Sequence, residues 1–302
     1  MHYFFCQCSS STAVPADVPA AYRALFRKNY QTITHNSSRI LLLSGDQKLE
    51  HLNTDFYGPG VDGDHSDTHH LFTIAAAGHI GAFVTHVGLI AHYARQYPTI
   101  PYIAKLSGKT NIIKPDTADP YAEQLWSVDD ALNIAKNSNI TLCGVAITVY
   151  LGSLQESRML KNAAQMITNA HRNGLVALVW MYPRGINIPN PRIPELTIGS
   201  AAAAVCIGAD IVKINPPEII TEHEYFSTLK RAVQAAAPCK VILAGGPRTA
   251  PHAYLRTVHR AIHEGNVAGI AVARNVHQLE LSAAIEMSRN LENIIYKNGS
   301  IS

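Results

Sequence analysis

The sequence lacks paired cysteine motifs, a strong net charge and long hydrophobic runs, and each shortage excludes a class of protein. Its five cysteines are an odd, scattered set without CxxC spacing, which argues against a zinc ribbon or a disulfide framework. Lysine and arginine total 25 against 22 acidic residues, and a formal net charge of +3 predicts no nucleic-acid partner. No apolar run approaches the roughly 18 residues of a membrane span, so we expect no membrane association.

The N-terminus also lacks the basic region and long apolar stretch of a secretory signal. We therefore expect a cytoplasmic protein with reduced thiols. The chain has 302 residues, of which 47% are hydrophobic and 16% charged, enough apolar material to bury a large core. A small molecule is the expected partner.

The chain divides into an N-terminal extension, residues 1–38, and a regular region, residues 39–302. In the regular region, eight short apolar runs predict strands buried on both faces: Ile40–Ser44, Gly81–Thr85, Tyr102–Leu106, Leu142–Val149, Val176–Met181, Ile211–Ile214, Val241–Leu243 and Gly269–Val272. Amphipathic segments between and after them predict helices, for example Leu154–Arg172, Glu195–Ile207, Glu222–Ala236, Pro251–Glu264 and His277–Leu291. Eight strand–helix units predict an α/β fold, a (β/α)8 TIM barrel, with a doubly wound open sheet as the alternative.

Polar side chains collect where these strands end. In a barrel, the loops at the C-terminal ends of the strands build the active site. The pattern therefore predicts one functional rim, and its members in chain order are Asp46, His51, His86, Lys105, Ser107, Tyr150, Gly152, Ser153, Trp180, Tyr182, Arg184, Lys213, Gly245, Gly246, Ala273 and Arg274.

Lys213 is the most informative of these residues because it lies inside an apolar strand. Burial disfavours the ammonium form, and a neutral amine at that place can attack a ketone or aldehyde to form a Schiff base. The alternative is a lysine at the strand edge that reaches solvent or pairs with Asp46 or another carboxylate. The residues alone leave both interpretations open.

The loops after strands 7 and 8 have a composition that suits a phosphate group. Gly245 and Gly246 would offer backbone amides, and Arg274 would add a charge-assisted contact next to Ala273. An ordinary turn is the alternative for the two glycines. Their position in adjacent loops favours the phosphate hypothesis.

Several of these segments, in this order and spacing, resemble the class I fructose-bisphosphate aldolases of the archaeal and bacterial type, which are grouped with deoxyribose-phosphate aldolase relatives. The resemblance runs from about Leu41 to Ile285, and Asp46–His51 resembles the family's Asp-His/Gln-Gly-x-Glu-His segment. The strongest pieces are Tyr150–Ser153, Leu178–Gly185, Gly208–Lys213, Leu243–Pro247 and Val272–Asn275.

The resemblance implies a (β/α)8 barrel and a lyase of glycolysis and gluconeogenesis. Lys213 matches the Schiff-base lysine that would attack the ketone of fructose 1,6-bisphosphate or dihydroxyacetone phosphate. Tyr182 matches a general acid/base, and Asp46 matches a carboxylate that orients hydroxyls and assists proton transfer. A phosphorylated sugar is then the partner, glyceraldehyde 3-phosphate the second product, and no metal or other cofactor is expected. Barrels of this family usually assemble, so a homo-oligomer is also expected.

Further substrate contacts follow from the same resemblance. Trp180 matches an aromatic wall, with core packing as the alternative. Lys105 is a candidate from its own position, as a second lysine within a strand, and it is either a cation that lowers the pKa of Lys213 or half of a structural ion pair. The phosphate residues match Gly245, Gly246, Ala273 and Arg274, and the remaining expected polar contacts are His51, Gly152, Ser153 and Arg184.

Three features depart from the family pattern. Lys48 and Ala273 stand where the family usually has glycine, and Asn215-Pro216-Pro217 adds two prolines after Lys213. We expect these departures to affect the loops and the choice of substrate more than the Schiff-base chemistry.

Three other functions remain open from the sequence. The segment Asp62–His70, with His79 and His86, has the residue types of a zinc-dependent aldolase. A related Schiff-base transferase or transaldolase-like enzyme, acting on another phosphorylated ketose or diketone, would share Lys213 and Tyr182. A sugar-phosphate-binding protein without turnover is the third possibility, although it would not need these two residues.

Overall fold

Eight parallel strands form a closed barrel in a computed structural model that describes residues 13–51, 55, 66–111, 119–218, 221–297 and 299. Each strand pairs with the next along the chain, and Ile40 pairs with Gly269 to close the sheet, which confirms the TIM barrel and rules out the open sheet. The strands are β1 Ile40–Ser44, β2 Ala82–His86, β3 Tyr102–Lys105, β4 Leu142–Leu151, β5 Val176–Pro183, β6 Ile211–Ile214, β7 Lys240–Ala244 and β8 Gly269–Val272.

Helices surround the barrel or extend from its ends. In the described part of the chain they are α1 Arg23–Thr34, α2 Gln47–Glu50, α3 Thr68–Ala76, α4 Val87–Tyr93, α5 Val128–Ser138, α6 Glu156–Arg172, α7 Pro194–Cys206, α8 Glu222–Ala236, α9 Pro251–His263, α10 Arg274–His277 and α11 Leu281–Tyr296. A short antiparallel pair, Ser107–Gly108 with Glu123–Gln124, follows β3. None of the described helices combines the length and apolar character that crossing a bilayer requires.

The strands are apolar on both faces because each face is buried in a different core. Outward side chains such as Leu41 and Leu43 pack beneath the helices. Inward side chains such as Ile40, Leu42 and Leu178 fill the lumen. Since successive residues of a strand point to opposite faces, this alternation also decides which side chains face inward where each strand ends.

Helix α1 covers the N-terminal end of the barrel. Its Phe26 and Ile33 are fully buried with the lumen residues, and a Cβ at Gly81 would lie 2.0 Å from the carbonyl oxygen of Ile33. The Asn29 amide donates to the carbonyl of Gly174, just before β5, at 2.8 Å. This part of the predicted extension packs against the barrel, and the division of the chain at residue 38 stays a prediction.

A buried histidine ties the chain before α1 to the same end of the barrel. His171 on α6 lies between the Asp17 carboxylate, at 2.8 Å from Nδ1, and the Asp210 carboxylate, at 3.1 Å from Nε2. Burial disfavours the imidazolium, but the hydrogen bonds and charges of these two carboxylates outweigh it and raise the pKa of His171.

The strand predictions differ from the structure mainly at the C-terminal ends. β4 continues to Leu151 and β5 to Pro183, past the predicted ends at Val149 and Met181, because Tyr150 and Tyr182 extend the ladder as a pair. β2 begins one residue later than predicted and includes His86. The strands therefore carry polar side chains further into the mouth than the apolar runs indicate.

The predicted helix His277–Leu291 is wrong at both ends. The structure has a short α10 that ends at His277 and a separate α11 that begins at Leu281. Glu280 starts α11 because its side chain accepts hydrogen bonds from the amides of Ser282 and Ala283.

Candidate active site

The inward-facing positions of the strands lead into one polar cluster at the C-terminal mouth. On β1 the inward series passes from Leu42 to Ser44, and on β5 it passes from Leu178 to Trp180 and Tyr182. On β6 the residue that pairs with Trp180 is Lys213. The predicted rim is therefore a physical site, because period-two alternation turns these side chains towards the same space.

Lys213 lies at the centre of this cluster, with 6% relative exposure. Its Nζ lies 3.3 Å from Oγ of Ser44 and 4.7 Å from the centre of the Trp180 ring. Burial lowers the pKa of Lys213, the negative charge of Asp46 opposes that shift, and the positive charge of Lys105 adds to it. The shift in the Lys213 pKa is towards the neutral amine that imine formation needs, and none of the described carboxylates forms an ion pair with Lys213.

Asp46 supplies a carboxylate to the cluster around Lys213. It lies at the N-terminus of α2, directly after β1. Its Oδ2 accepts the indole N–H of Trp180 at 3.1 Å and lies 3.5 Å from Nζ of Lys105. Burial opposes ionisation of Asp46, but the charges of Lys105 and Lys213 outweigh burial and hold its pKa far below the usual range. Asp46 is therefore an anion at neutral pH.

Trp180 belongs to the core and also lies next to Lys213, whereas its role as a wall for the substrate stays a prediction. Its side chain is 1% exposed and belongs to the lumen core, while its indole holds Asp46 and its ring lies beside the Lys213 amine. When Lys213 carries its proton, an aromatic ring at that distance also gives the ammonium a favourable electrostatic contact.

Lys105 is fully buried and is held by two carboxylates. It contacts Oε1 of Glu50 more closely than Oδ2 of Asp46, and Nε2 of His86 lies 3.5 Å from the same Glu50 oxygen. Both sequence interpretations apply, because Lys105 forms an ion pair and its charge also lowers the pKa of Lys213. Its direct contact with substrate stays a prediction.

Glu50 is a site residue that the sequence reasoning missed. Asp46 and Glu50 are four residues apart, and the amide of Glu50 donates to the carbonyl of Asp46 at 3.2 Å in α2. One turn of helix therefore brings both carboxylates to the same side. That spacing was a usable signal, but it needed the additional knowledge that the residues after Asp46 form a helical turn.

Tyr182 lies at the mouth, two residues beyond Trp180 on the same face of β5. Burial and the nearby negative charges of Asp46 and Glu50 raise its pKa well above the usual value, so the phenol keeps its proton. Its cross-strand neighbour is Tyr150, and the exposed Arg184 guanidinium lies 5.9 Å from the Tyr150 ring. The site thus holds a proton donor close to an anionic carboxylate.

The β7 and β8 loops are held together at the predicted phosphate site. Gly246 has a φ of +69°, a conformation that favours glycine. Asn275 is buried, and its amide donates to the carbonyls of Gly245, at 2.9 Å, and Pro247, at 2.8 Å. Asn275 therefore positions these glycines, whereas the predicted phosphate contact itself stays a prediction.

On the other side of the mouth, the β4 and β5 loops touch. A Cβ at Gly185 would lie 2.0 Å from the carbonyl oxygen of Gly152, so this approach requires glycine. Asp119 accepts hydrogen bonds from Ser153 Oγ at 2.6 Å and from the Ile186 amide at 3.1 Å. The predicted contacts Gly152 and Ser153 therefore shape the mouth beside Arg184.

Two other predicted contacts form a chain from the β1 loop to the β8 loop. Nδ1 of His51 lies 2.5 Å from Oδ2 of Asp55, and Nη1 of Arg274 lies 3.7 Å from Oδ1 of the same residue. His51 and Arg274 thus meet at one carboxylate. The positive charge of Arg274 also acts on Lys213 and lowers its pKa, after the larger influences of burial and nearby charges.

The three departures from the family pattern have identifiable neighbours. Lys48 donates to the carbonyl of Ser66 at 2.7 Å. The carbonyl of Ala273 accepts the amide of Val276 at 2.8 Å, and Arg192 donates to the carbonyls of Pro216 and Pro217, both at 3.1 Å. The proline-rich loop after β6 is therefore clamped to the loop after β5.

The histidines of the metal hypothesis have other partners. Nε2 of His70 lies 3.0 Å from the carbonyl oxygen of His277, His69 contacts the Tyr97 hydroxyl at 3.0 Å, and His79 pairs with Glu292 at 2.8 Å. Residues 62–65 of that segment lie outside the described residues. Within the described ranges, no group of three or more His, Cys, Asp and Glu side chains is placed to hold a metal ion.

A buried lysine amine, a protonated tyrosine and a carboxylate at the mouth of a TIM barrel define a lysine-dependent aldolase, that is, a Schiff-base lyase. Residues 40–279 match the model of the DeoC/LacD family aldolases, and the chain belongs to that family.

Several relatives match this chain over most of their own length. Over 95% of this chain and 91% of the relative, it is 40% identical to the fructose-bisphosphate aldolase/6-deoxy-5-ketofructose 1-phosphate synthase of Methanocaldococcus jannaschii. A solved fructose-bisphosphate aldolase from Slackia heliotrinireducens superposes with a TM-score of 0.93 at 37% identity, over 98% of this chain and 93% of that one. An archaeal fructose-1,6-bisphosphate aldolase, solved with its catalytic lysine bound to the carbinolamine intermediate, has a TM-score of 0.74 at 27% identity. The match covers 90% of this chain and 99% of that one.

Proposed function

We propose that the protein is a class I fructose-bisphosphate aldolase, which cleaves fructose 1,6-bisphosphate to dihydroxyacetone phosphate and glyceraldehyde 3-phosphate or joins them. The observation that carries the proposal is the Lys213 amine, buried beside Trp180 and within hydrogen-bond distance of Ser44. The names of the relatives support the choice of substrate.

The first step is attack of the neutral Lys213 amine on the C2 carbonyl of the substrate. The carbinolamine then loses water to give an iminium ion, which accepts the electron pair of the breaking bond. The reaction needs an amine rather than an ammonium, and burial of Lys213 lowers its pKa in the required direction.

The second step breaks the C3–C4 bond. The C4 hydroxyl gives up its proton, glyceraldehyde 3-phosphate leaves as the aldehyde, and an enamine remains on Lys213. Tyr182 keeps its proton and Asp46 is ionised, so the pair combines a donor with an acceptor for the hydroxyl and enamine protons. Protonation of the enamine carbon and hydrolysis of the imine then release dihydroxyacetone phosphate.

In this proposal, loops on two sides of the mouth bind the phosphates and other polar groups of the substrate. We place one phosphate at Gly245, Gly246, Ala273 and Arg274, and polar contacts of the remaining substrate at Gly152, Ser153 and Arg184. His51 and Lys105 complete the proposed substrate-binding set. The mechanism requires no metal and no cofactor apart from the covalent imine.

Borohydride trapping tests this proposal directly. The protein is incubated with dihydroxyacetone phosphate, reduced with sodium borohydride and mapped by peptide mass spectrometry, with an EDTA-treated sample alongside. An adduct on Lys213 that survives EDTA is the expected result. A protein without an adduct, whose cleavage of fructose 1,6-bisphosphate stops in EDTA, would require a metal mechanism instead.

A second function remains a candidate, namely a Schiff-base transferase or transaldolase-like enzyme that acts on another phosphorylated ketose or diketone. The double name of the M. jannaschii relative favours it, because that name contains both an aldolase and a synthase of a different ketose phosphate. Offering the trapped donor a series of aldehydes and identifying the ketose phosphates by mass spectrometry separates the two functions.

We further propose that the protein is cytoplasmic and forms a homo-oligomer, as barrels of this family usually do. Light scattering of the purified full chain tests the assembly. A mass of one chain would contradict it.

A further inference from the structure

The ion-pair cluster beneath the mouth contains one cation and two carboxylates. Lys105 is fully buried, and the carboxylates that reach its ammonium are Asp46 and Glu50. The contact with Glu50 is the shorter of the two, while Nζ lies 3.5 Å from Oδ2 of Asp46. Glu50 therefore holds the lysine and leaves a looser contact to Asp46.

Glu50 is fixed in this position from three directions. The turn of α2 anchors its backbone, and the Asn111 amide donates to its carbonyl. Nε2 of His86 lies 3.5 Å from the same Oε1 that receives Lys105, and His86 is itself 3.3 Å from the carbonyl oxygen of Ser107. The carboxylate cannot turn away from Lys105 without leaving both neighbours.

The way in which the Lys105 ammonium is shared between Glu50 and Asp46 decides how readily Asp46 accepts a proton. A carboxylate in a tight ion pair is a weak base, because the cation stabilises its anionic form. If Glu50 lost its charge, Asp46 would be the remaining described carboxylate in reach of a buried ammonium, and the two would draw together. A buried charge that has lost its partner is strongly destabilising, and this drives the rearrangement.

We propose that Glu50 is a positioning residue for the aldolase reaction: it binds Lys105 and so keeps the Asp46 carboxylate available to the substrate. This inference rests on the proposed function, but it concerns a later step than imine formation. Among the described hydrogen bonds and ion pairs, Glu50 contacts Lys105 and not Lys213, so apart from its charge, which also acts on Lys213 and Tyr182, it works through Lys105.

The first test compares Glu50→Gln with the unaltered protein. We expect kcat for fructose 1,6-bisphosphate cleavage to fall at least about tenfold, because the acid–base contribution of Asp46 is lost, with KM little changed. Borohydride trapping of dihydroxyacetone phosphate on Lys213 should persist. Glu264→Gln is the matched control, since it removes an exposed carboxylate that pairs with Arg260 at 2.6 Å far from the mouth.

A double-mutant cycle with Lys105→Met shows whether Glu50 acts through the lysine. The double variant Glu50→Gln/Lys105→Met should have the same kcat as Lys105→Met alone, because no cation is left for Glu50 to hold. Additive losses would overturn the inference, and so would an unchanged kcat in Glu50→Gln or a loss of trapping in that variant.

A crystal structure of Glu50→Gln tests the arrangement without substrate. Nζ of Lys105 should move closer to Asp46 than the present 3.5 Å. An unmoved Lys105 would contradict the inference even if the protein acts on another sugar. Failure of the proposed function is distinct from this result, because it would appear as absent trapping in the unaltered protein.

Discussion

Nζ of Lys213 and Oγ of Ser44 lie 3.3 Å apart although their strands, β6 and β1, are not neighbours in the barrel. The lysine therefore crosses the lumen instead of following the wall. Its amine ends beside the Trp180 ring, where the charge of Asp46 also acts on it.

Replacement of Lys213 by methionine should abolish turnover while preserving the fold. We expect kcat/KM to fall by at least about a thousandfold, because no other amine replaces the nucleophile. Thermal unfolding should change little, since methionine fills a similar volume without a buried charge. Activity above a hundredth of the unaltered protein would mean that another group forms the covalent bond.

Replacement of Tyr182 by phenylalanine should separate imine formation from carbon–carbon cleavage. The variant loses a proton donor whose pKa is raised by burial, so we expect kcat to fall by about 10²–10⁴. Trapping of dihydroxyacetone phosphate on Lys213 should remain detectable. The matched control is Tyr150→Phe on the neighbouring strand, and a larger kcat loss in that variant would assign the donor role to Tyr150.

The pH dependence of kcat/KM should change when the charge of Lys105 is removed. Activity requires the neutral Lys213 amine, so kcat/KM rises with pH through the pKa of that residue, which burial lowers from its usual value. The charged groups that act on Lys213 are Asp46, Lys105, Glu50 and Arg274.

Removing one cation from this set with Lys105→Met raises the Lys213 pKa, and the acid limb should move to higher pH. Stopped assays from about pH 5 to 10 measure it. An identical shift in the exposed control Lys161→Met would show that the effect is not local.

The Asp17–His171–Asp210 contact should make stability depend on pH. Because the folded protein raises the pKa of His171, its stabilising contribution is complete below the unfolded value and is lost as pH rises through the folded value. Asp17→Asn should therefore lower Tm near pH 6 and lower it by less near pH 9. The expected decrease near pH 6 is only about 1–3 °C, because Asp17 is half-exposed.

Calorimetry at the two pH values measures this difference. Glu123→Gln is the control, because it removes an ion pair with Arg158 that contains no histidine. A pH-independent effect of Asp17→Asn would contradict the assignment.

The sequence predicted the barrel because its strands are short apolar runs at regular intervals, and such runs need both faces covered. It placed Lys213 correctly in β6 and Trp180 in β5, with Tyr182 directly after the predicted end of that strand, since alternation along a strand is a local property. The predicted strands β4 and β5 ended too early, because Tyr150 and Tyr182 continue the hydrogen-bonded ladder beyond the apolar run.

The ion-pair cluster was only half predicted. Asp46 and Lys105 follow from the strand ends, whereas Glu50 depends on a helical turn whose four residues show no clear periodicity. The partners of His69 and His70 come from distant segments, so no local pattern contains them. Predictions based on periodicity thus end where contacts between loops begin.

Helix α1 covers the N-terminal end of the barrel, and packed side chains fill the lumen between α1 and Trp180. Molecules that reach Lys213 from the mouth must therefore also depart through the mouth. During cleavage the ketone half stays attached to the lysine, so the aldehyde half is the first to depart. The covalent bond thus fixes the order in which the two halves leave, the covered end makes both leave by the opening through which the sugar enters, and excess of the second product competes with that sugar for free enzyme.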